Sequence, residues 1–335
     1  MTVSREIEKL PIFGPEGAAA MTGRTAGVVG LGALGSVSSL LLSRFPLKKL
    51  VLVDRDVVEK KNLYRQYLYT EDDAEKVLPK TEAAKRKLEA SSRAPIEARD
   101  VHLDAERAKE LFDECDIVID ATDNFETRFI LNDASAFYGK PWIYGGVLGS
   151  RGAALFVDPK SGPCLRCVFD EIPSVGAEES CDTAGIHPSL PMIVASVQVA
   201  EAAKFLTGRL SAVERSLLHV DLDETRFVKI KPSKQPGCPV CSGSGSSLPD
   251  IPEGDEVREL CGGESVLVIL RGRKFDLGEI ATRLEKEGEV LRTSFLVRLR
   301  KEGTGMTIHS DGRVLVNGIG DGRKAMSFVS RMLGL

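Results

Sequence analysis

The chain has 335 residues, 42% hydrophobic and 28% charged, with a formal net charge of −4. That length suggests about two domains, and the balance is ordinary for a soluble globular protein with a full core. It offers no strongly basic surface for nucleic acid or acidic lipid, no run of about 18 apolar residues to cross a bilayer and no apolar signal core in Met1–Glu8, so a cytoplasmic protein with neither nucleic acid nor membrane as partner is expected.

In chain order, Thr25–Val29 reads as a strand, "GVVGLGALG" (residues 27–35) as a glycine turn, and Leu34–Leu42 as the helix that it opens. Leu50–Val53 reads as a second strand ending at Asp54, nineteen residues after Gly35. Thr81–Glu89 has helical character, Ile96–Val101 and Asp116–Asp120 read as strands, and a helix is predicted near Thr127–Phe137. Strands follow at Pro141–Gly145 and Ala153–Val157, then a long apolar helix over Ser189–Leu206. Alternating strands and helices of these lengths predict an α/β fold with a doubly wound, mostly parallel sheet. Residues 242–255, "SGSGSSLPDIPEGD", read as a flexible linker between a domain over 1–241 and a small α+β domain over 256–335. In the latter, Val266–Leu270 is a predicted strand and Leu277, Ile280 and Leu284 share a helix face. Phe295, Val297 and Leu299 alternate with charged residues, Asp311-Gly312 marks a hairpin, and Arg323–Leu333 closes the chain as a helix.

Gly30, Gly32 and Gly35 fit the G-x-G-x-x-G fingerprint, in which unpaired N–H groups at a helix start meet phosphate. Asp54 stands where an acid accepts hydrogen bonds from ribose hydroxyls. The fingerprint favours a nucleotide without choosing between a nicotinamide cofactor and ATP. Of seven cysteines, four form two C-x-x-C pairs, Cys164/Cys167 in "GPCLRC" and Cys238/Cys241 in "PGCPVC". Four thiolates are the donor set of a closed, tetrahedral structural zinc and leave no open position for a catalytic one. Redox thiols or plain buried cysteines are the competing readings.

Taken together, these motifs resemble the MoeB/ThiF group of adenylating enzymes, relatives of ubiquitin-activating enzyme. The resemblance covers about residues 1–241 and rests on the glycine turn, on "LVDRDVVEKKNLYRQ" (Asp54, Asp56, Asn62, Arg65, Gln66), on "PKTEAA" (Lys80), on "DATDNFETRFILN" (Asp120, Asp123, Asn124, Arg128, Asn132) and on the two cysteine pairs, all in family order. It implies that a carrier carboxylate attacks the α-phosphorus of ATP and pyrophosphate leaves. Such transfer needs positioning and charge neutralisation: Lys80 and Arg65 suit triphosphate oxygens, Asn62 a neutral hydrogen bond to phosphate, and Asp123 a Mg²⁺ ion as a hard oxygen ligand. In that family the arginine matching Arg65 is contributed across a dimer interface, which implies a homodimer, and another arginine lies near the N-terminus, for which Arg5 is the candidate.

The resemblance also implies the partners: a small ubiquitin-fold sulfur-carrier protein ending in Gly-Gly, and a sulfur donor that turns the acyl-adenylate into a thiocarboxylate for thiamine, molybdopterin or tRNA thiolation. Cys181, in "ESCDTAGIHPSL", matches a family cysteine that acts in some members as a nucleophile on the mixed anhydride and in others is an accessory thiol; both readings stay open. Cys261 in "LCGG" opens the small domain and reads as an ordinary cysteine or a sulfur-relay thiol. The alternatives carried forward are an NAD-dependent dehydrogenase and a non-catalytic scaffold that binds a ubiquitin-like protein.

Overall fold

The computed structural model describes residues 8–11, 13–169, 185–241, 254–260 and 265–335. They fall in two compact units, one within Met1–Pro173 and Ala184–Asp250, the other within Ile251–Leu335. The predicted linker lies almost wholly outside the described residues, as do Arg5, Cys181 and Cys261.

The larger unit runs α1 (Gly14–Met21), β1 (Thr25–Val29), α2 (Ala33–Leu42), β2 (Lys49–Asp54), α3 (Glu71–Glu75), α4 (Lys80–Glu89), β3 (Ile96–Asp100), α5 (Ala105–Glu114), β4 (Ile117–Asp120), α6 (Phe125–Tyr138), β5 (Trp142–Leu148), β6 (Arg151–Val157), α7 (Leu165–Val168), α8 (Ser189–Leu206), β7 (Leu217–Asp221) and β8 (Arg226–Ile230). Its eight strands lie in the order β3-β2-β1-β4-β5-β6-β7-β8. The first five pair in parallel and the last three extend the sheet antiparallel. The doubly wound, mostly parallel sheet is therefore as expected, and the antiparallel extension past β6 is an addition to it. Every residue of β1 is buried, as a parallel strand covered on both faces requires. Successive side chains divide between the faces: Val29, Val51, Val53 and Val118 join Phe112 of α5, Phe129 and Leu131 of α6 and Trp142 in one core. On the other side α8 packs against α2, β5 and β6. Although α8 is long and apolar enough to span a bilayer, Leu190, Val194 and Val199 are spent on this packing.

The smaller unit is a six-stranded antiparallel sheet of order β11-β12-β13-β14-β10-β9. It contains β9 (Glu256–Glu259), β10 (Ser265–Ile269), α9 (Leu277–Leu284), β11 (Glu289–Arg292), β12 (Leu296–Lys301), β13 (Thr304–His309), β14 (Arg313–Asn317) and α10 (Gly322–Leu333). Ile280 and Leu284 of α9 and Phe328, Val329 and Met332 of α10 close its core over Val268, Val297, Leu299, Ile308 and Val314. The Asp311-Gly312 hairpin forms between β13 and β14, with Gly312 at φ 94°, a conformation that glycine takes freely.

Candidate active site

In this strand order the connections leave β1 toward β2 on one side and β4 toward β5 on the other, so the loops after β1 and β4 flank a crevice at the carboxyl edge, where α/β sheets bind their ligands. Gly30 ends β1 at φ 84°, and a Cβ there would lie 2.6 Å from the Ala121 carbonyl of the facing loop. A Cβ on Gly35 would lie 1.8 Å from the Gly30 carbonyl, so α2 can start this close to the strand only with glycine there. Gly32 differs, since its Cβ would meet nothing nearer than the Gln66 amide at 3.6 Å. Gly32 caps α2 without a side-chain hydrogen bond and no acid sits in the first turn, which leaves the first N–H groups and the positive helix end to a ligand.

Asp54, at the end of β2, is buried. Its carboxylate accepts from the Leu31 N–H at 2.5 Å and the Asp56 N–H at 2.7 Å, which ties the turn to the next segment. Burial pushes this carboxyl up, and the nearby Lys80 charge opposes the rise. Beyond Asp54 the chain pairs with the start of α4: the Val58 N–H donates to the Leu78 carbonyl and the Lys80 N–H to the Asp56 carbonyl, each at 2.9 Å. That short pairing sets Lys80 at the first position of α4, buried, with Nζ 3.1 Å from Asp56 Oδ2. Burial works against its charge, but Asp56, Asp54 and Asp123 together hold its ammonium protonated well above the ordinary lysine range. Asp123 is exposed just past β4, beside Asn124, whose side chain caps α6 by accepting from the Thr127 N–H at 2.9 Å.

Between Asp56 and Lys80 lies the single turn that carries Asn62, Arg65 and Gln66, all three buried. Asn62 Oδ1 and Gln66 Oε1 are buried acceptors with no hydrogen-bond partner among the described residues, and such atoms are costly unless a ligand or water satisfies them. The Arg65 guanidinium lies 5.1 Å from the Tyr64 ring centre. Arg128 is placed differently from the others. Its Nε lies 3.3 Å from Asp120, its Nη2 donates to the Thr122 and Gly145 carbonyls at 2.7 and 3.2 Å, and it is stacked between Phe125 and Tyr144. Asn132 also lies away from the turn, accepting from the Leu165 N–H at 2.8 Å.

Cys164, Cys167, Cys238 and Cys241 converge, with all four Sγ atoms within 4.8 Å of one another. The close sulfurs share protons: burial, with a hydrogen bond to Cys238, holds the Cys164 thiol up. Burial would raise Cys238 too, but the N–H groups of Cys241 and Val240 bring it down to about 7. The donor set therefore fits a soft, tetrahedral divalent ion. α6 supports the first pair through Asn132 and through Asp133, which pairs with Arg166 at 2.8 and 3.2 Å.

Sequence reading did not find Tyr69, a buried phenol that donates to the Leu31 carbonyl at 2.7 Å and so braces the glycine turn. Nor did it find Gln198, or the Asp133–Arg166 pair. A polar residue inside an apolar helix was the available signal for Gln198.

A doubly wound sheet with a glycine turn, a lysine among three acids at its switch point and a four-thiol cluster defines a nucleotide-binding α/β domain with an appended cluster of cysteines. The ThiF family model matches residues 3–240, and the chain belongs to the ThiF family. Among curated relatives it is 36% identical over 327 residues to the sulfur carrier protein ThiS adenylyltransferase of Bacillus subtilis, covering 96% of each chain. It is 37% identical to the SAMP-activating enzyme E1 of Haloferax volcanii over 71% of this chain and 88% of that one. Among solved structures, E. coli MccB with ATP shares the fold at a TM-score of 0.60 and 20% identity, over 68% of this chain and 69% of that chain.

Proposed function

We propose that this protein is an ATP-dependent adenylyltransferase that activates the C-terminal Gly-Gly carboxylate of a small ubiquitin-fold sulfur-carrier protein. A carboxylate oxygen bonds to the α-phosphorus, the bond from that phosphorus to the bridging oxygen breaks, and pyrophosphate leaves. The observation that carries this reading is Lys80, buried and held charged by three acids beside an uncapped glycine turn. A nicotinamide cofactor keeps its pyrophosphate uncleaved and generates no leaving pyrophosphate for such a cation to neutralise, and the dehydrogenase reading leaves the four thiols without a part. The relative named above as an adenylyltransferase and the one named as an activating enzyme support the same reading.

In this reading Gly30, Gly32 and Gly35 admit the phosphates, and Asp54 receives the ribose on lone pairs left over from its two backbone hydrogen bonds. Lys80 and Arg65 neutralise the triphosphate, with Asp56 positioning Lys80. The orphaned acceptors of Asn62 and Gln66 would take donors from the bound nucleotide or its water. Asp123 would hold Mg²⁺, which supplies charge neutralisation at the leaving pyrophosphate, with Asn124 beside it at the cap of α6. Arg128 shapes the Asp120–Asn124 loop. The four cysteines would hold a structural Zn²⁺. Cys181 is the candidate acceptor thiol, with a separate sulfur donor completing the thiocarboxylate for a thiamine, molybdopterin or tRNA-thiolation route. We place the enzyme in the cytoplasm as a homodimer, for which the uncharged outer face of α8 at Met192, Ser196 and Ala200 is available. Residues 1–241 form the adenylation domain and 256–335 the accessory domain.

ATP–pyrophosphate exchange tests the reading. Exchange that requires a carrier ending in Gly-Gly is expected; NADH turnover without exchange would overturn it.

A further inference from the structure

The ladder between β4 and β5 is short. It registers Val118 with Trp142 and Ile119 with Ile143, and then stops. The strands part just where β4 delivers the loop carrying Asp123. A side chain from α8 occupies the gap: Gln198, fully buried, donates from Nε2 to the Asp120 carbonyl at 2.7 Å and the Ile143 carbonyl at 3.2 Å. Its Oε1 is buried with no hydrogen-bond partner among the described residues, so the residue serves here as a neutral donor. Opposite it, a Cβ on Gly145 would lie 2.3 Å from that same Nε2, so the gap is cut to fit the amide. The freed carboxylate of Asp120 turns to the loop, accepting from the Thr122 N–H at 2.9 Å and its hydroxyl at 2.6 Å, while Arg128 reaches from α6 to Asp120 and the Thr122 carbonyl. The polar groups at the mouth of the gap thus bridge its two sides, Gln198 through the Asp120 and Ile143 carbonyls and Arg128 through the Thr122 and Gly145 carbonyls, and they fix residues 120–122 immediately before Asp123.

We propose that Gln198 is a positioning residue of the adenylation reaction: as a neutral wedge it holds the ends of β4 and β5 apart and so aims the Thr122–Asn124 loop, with Asp123, at the Lys80 side of the crevice. This rests on the adenylyltransferase reading. Burial alone does not explain the site, because an apolar side chain would fill the volume but leave two carbonyls unpaired. A glutamate would fill it and set a carboxylate against both.

The test is ATP–pyrophosphate exchange by the full chain with a Gly-Gly carrier, titrated with Mg²⁺ for wild type, Gln198→Met and Gln198→Glu, beside direct binding of Mn²⁺ to each ATP-loaded chain read by electron paramagnetic resonance, which should weaken in step with the half-saturating Mg²⁺. Carrier-dependent exchange by the wild type is the first control; its absence defeats the adenylyltransferase reading and with it the proposal. Given exchange, Gln198→Met is expected to raise the half-saturating Mg²⁺ concentration about 10-fold, the cost typical of losing an outer support of a metal ligand, and to lower kcat roughly 100-fold, as a misaimed group does, with the KM for the carrier unchanged. Half-saturation does not depend on how much of the variant is folded, so a packing defect alone leaves it at the wild-type value, and that result would overturn the proposal. Gln198→Glu supplies an independent signature: the introduced carboxyl donates only when protonated, so its half-saturating Mg²⁺ should approach wild type as the pH is lowered. A constant wild-type ratio across pH would overturn the proposal even if Gln198→Met failed to fold.

Discussion

Lys80 balances the charge of the whole turn. With Asp54 and Asp56 on one side and Asp123 across the crevice, it is the cation that lets the buried Asp54 carboxylate sit close to the half-exposed Asp56. Its folded pKa is raised, so its contribution to stability is complete below the ordinary lysine range and is lost only as the pH climbs through the raised value. In a Lys80→Met variant the sign for Asp54 follows from its own shift: burial raises its folded pKa, and the cation that opposed this is gone. The protonated form is then the one that the fold tolerates, and stability falls as rising pH ionises the acid. We expect Lys80→Met to be less destabilised in urea at pH 4 than at pH 8, where the deficit should be about 2 kcal/mol, a value reduced because Asp56 is half exposed. A gap that is equal at both pH values would contradict the assignment. Carrier-dependent exchange should fall at least 100-fold at either pH, since a positioned cation on the triphosphate is a large share of such catalysis.

At the scale of the element, the glycine turn divides its residues between folding and binding. Gly35→Ala drives a methyl into the Gly30 carbonyl, 1.8 Å away, and should yield little soluble protein. Gly32→Ala meets only a flexible amide end at 3.6 Å, so its Tm should stay within about 2 °C of wild type, while its KM for ATP rises roughly 10-fold or more because the methyl stands where phosphate approaches the N–H groups. Equal loss of folding in the two would show that the turn serves packing alone. This division was only half legible in the sequence. The strand–turn–helix, the acid after β2, and the cysteine pairs announce themselves because each is a local pattern with a fixed spacing. Ser189–Leu206 was legible as a buried helix by its hydropathy, but not what Gln198 does within it, because its partner Asp120 lies 78 residues away and only the folded sheet creates the gap between them. For the same reason the motif that carries Arg128 and Asn132 does not show that Arg128 ties the Thr122 and Gly145 carbonyls or that Asn132 accepts from the Leu165 N–H: a motif records which residues occur together, and not what each of them touches. Helix α5 went unread, since its cap Asp104 and its apolar face Ala108, Leu111 and Phe112 are diluted by six charged residues among its ten.

At the scale of the whole molecule, the four thiols join two segments 74 residues apart, and the chain between them includes α8, β7 and β8. A bound ion would therefore close a long loop in the larger unit. Closing a loop of that length removes about 4 kcal/mol of unfolded-state entropy in the chain-entropy model. The smaller unit has its own core of Val268, Leu299, Ile308, Val314 and Val329 and no share in the thiol cluster. Two compact units with separate cores should melt as two transitions, and only one of them should respond to the metal. We expect zinc at about one equivalent per chain in reduced protein. Stripping it with a chelator, or replacing Cys241 by serine, should lower the larger unit's transition by roughly 10 °C, given the few degrees per kcal/mol of a domain this size, and leave the smaller unit's transition in place. Gln198 lies on α8, inside the loop that the ion would close, and the Asp120–Asn124 loop leads into α6, whose Asn132 and Asp133 support the first cysteine pair, so the stripped protein should also lose affinity for ATP before it unfolds. Calorimetry of the holo and stripped chains checks this: a metal-free chain with both transitions unmoved would make the cysteines a thiol pair set rather than a structural staple.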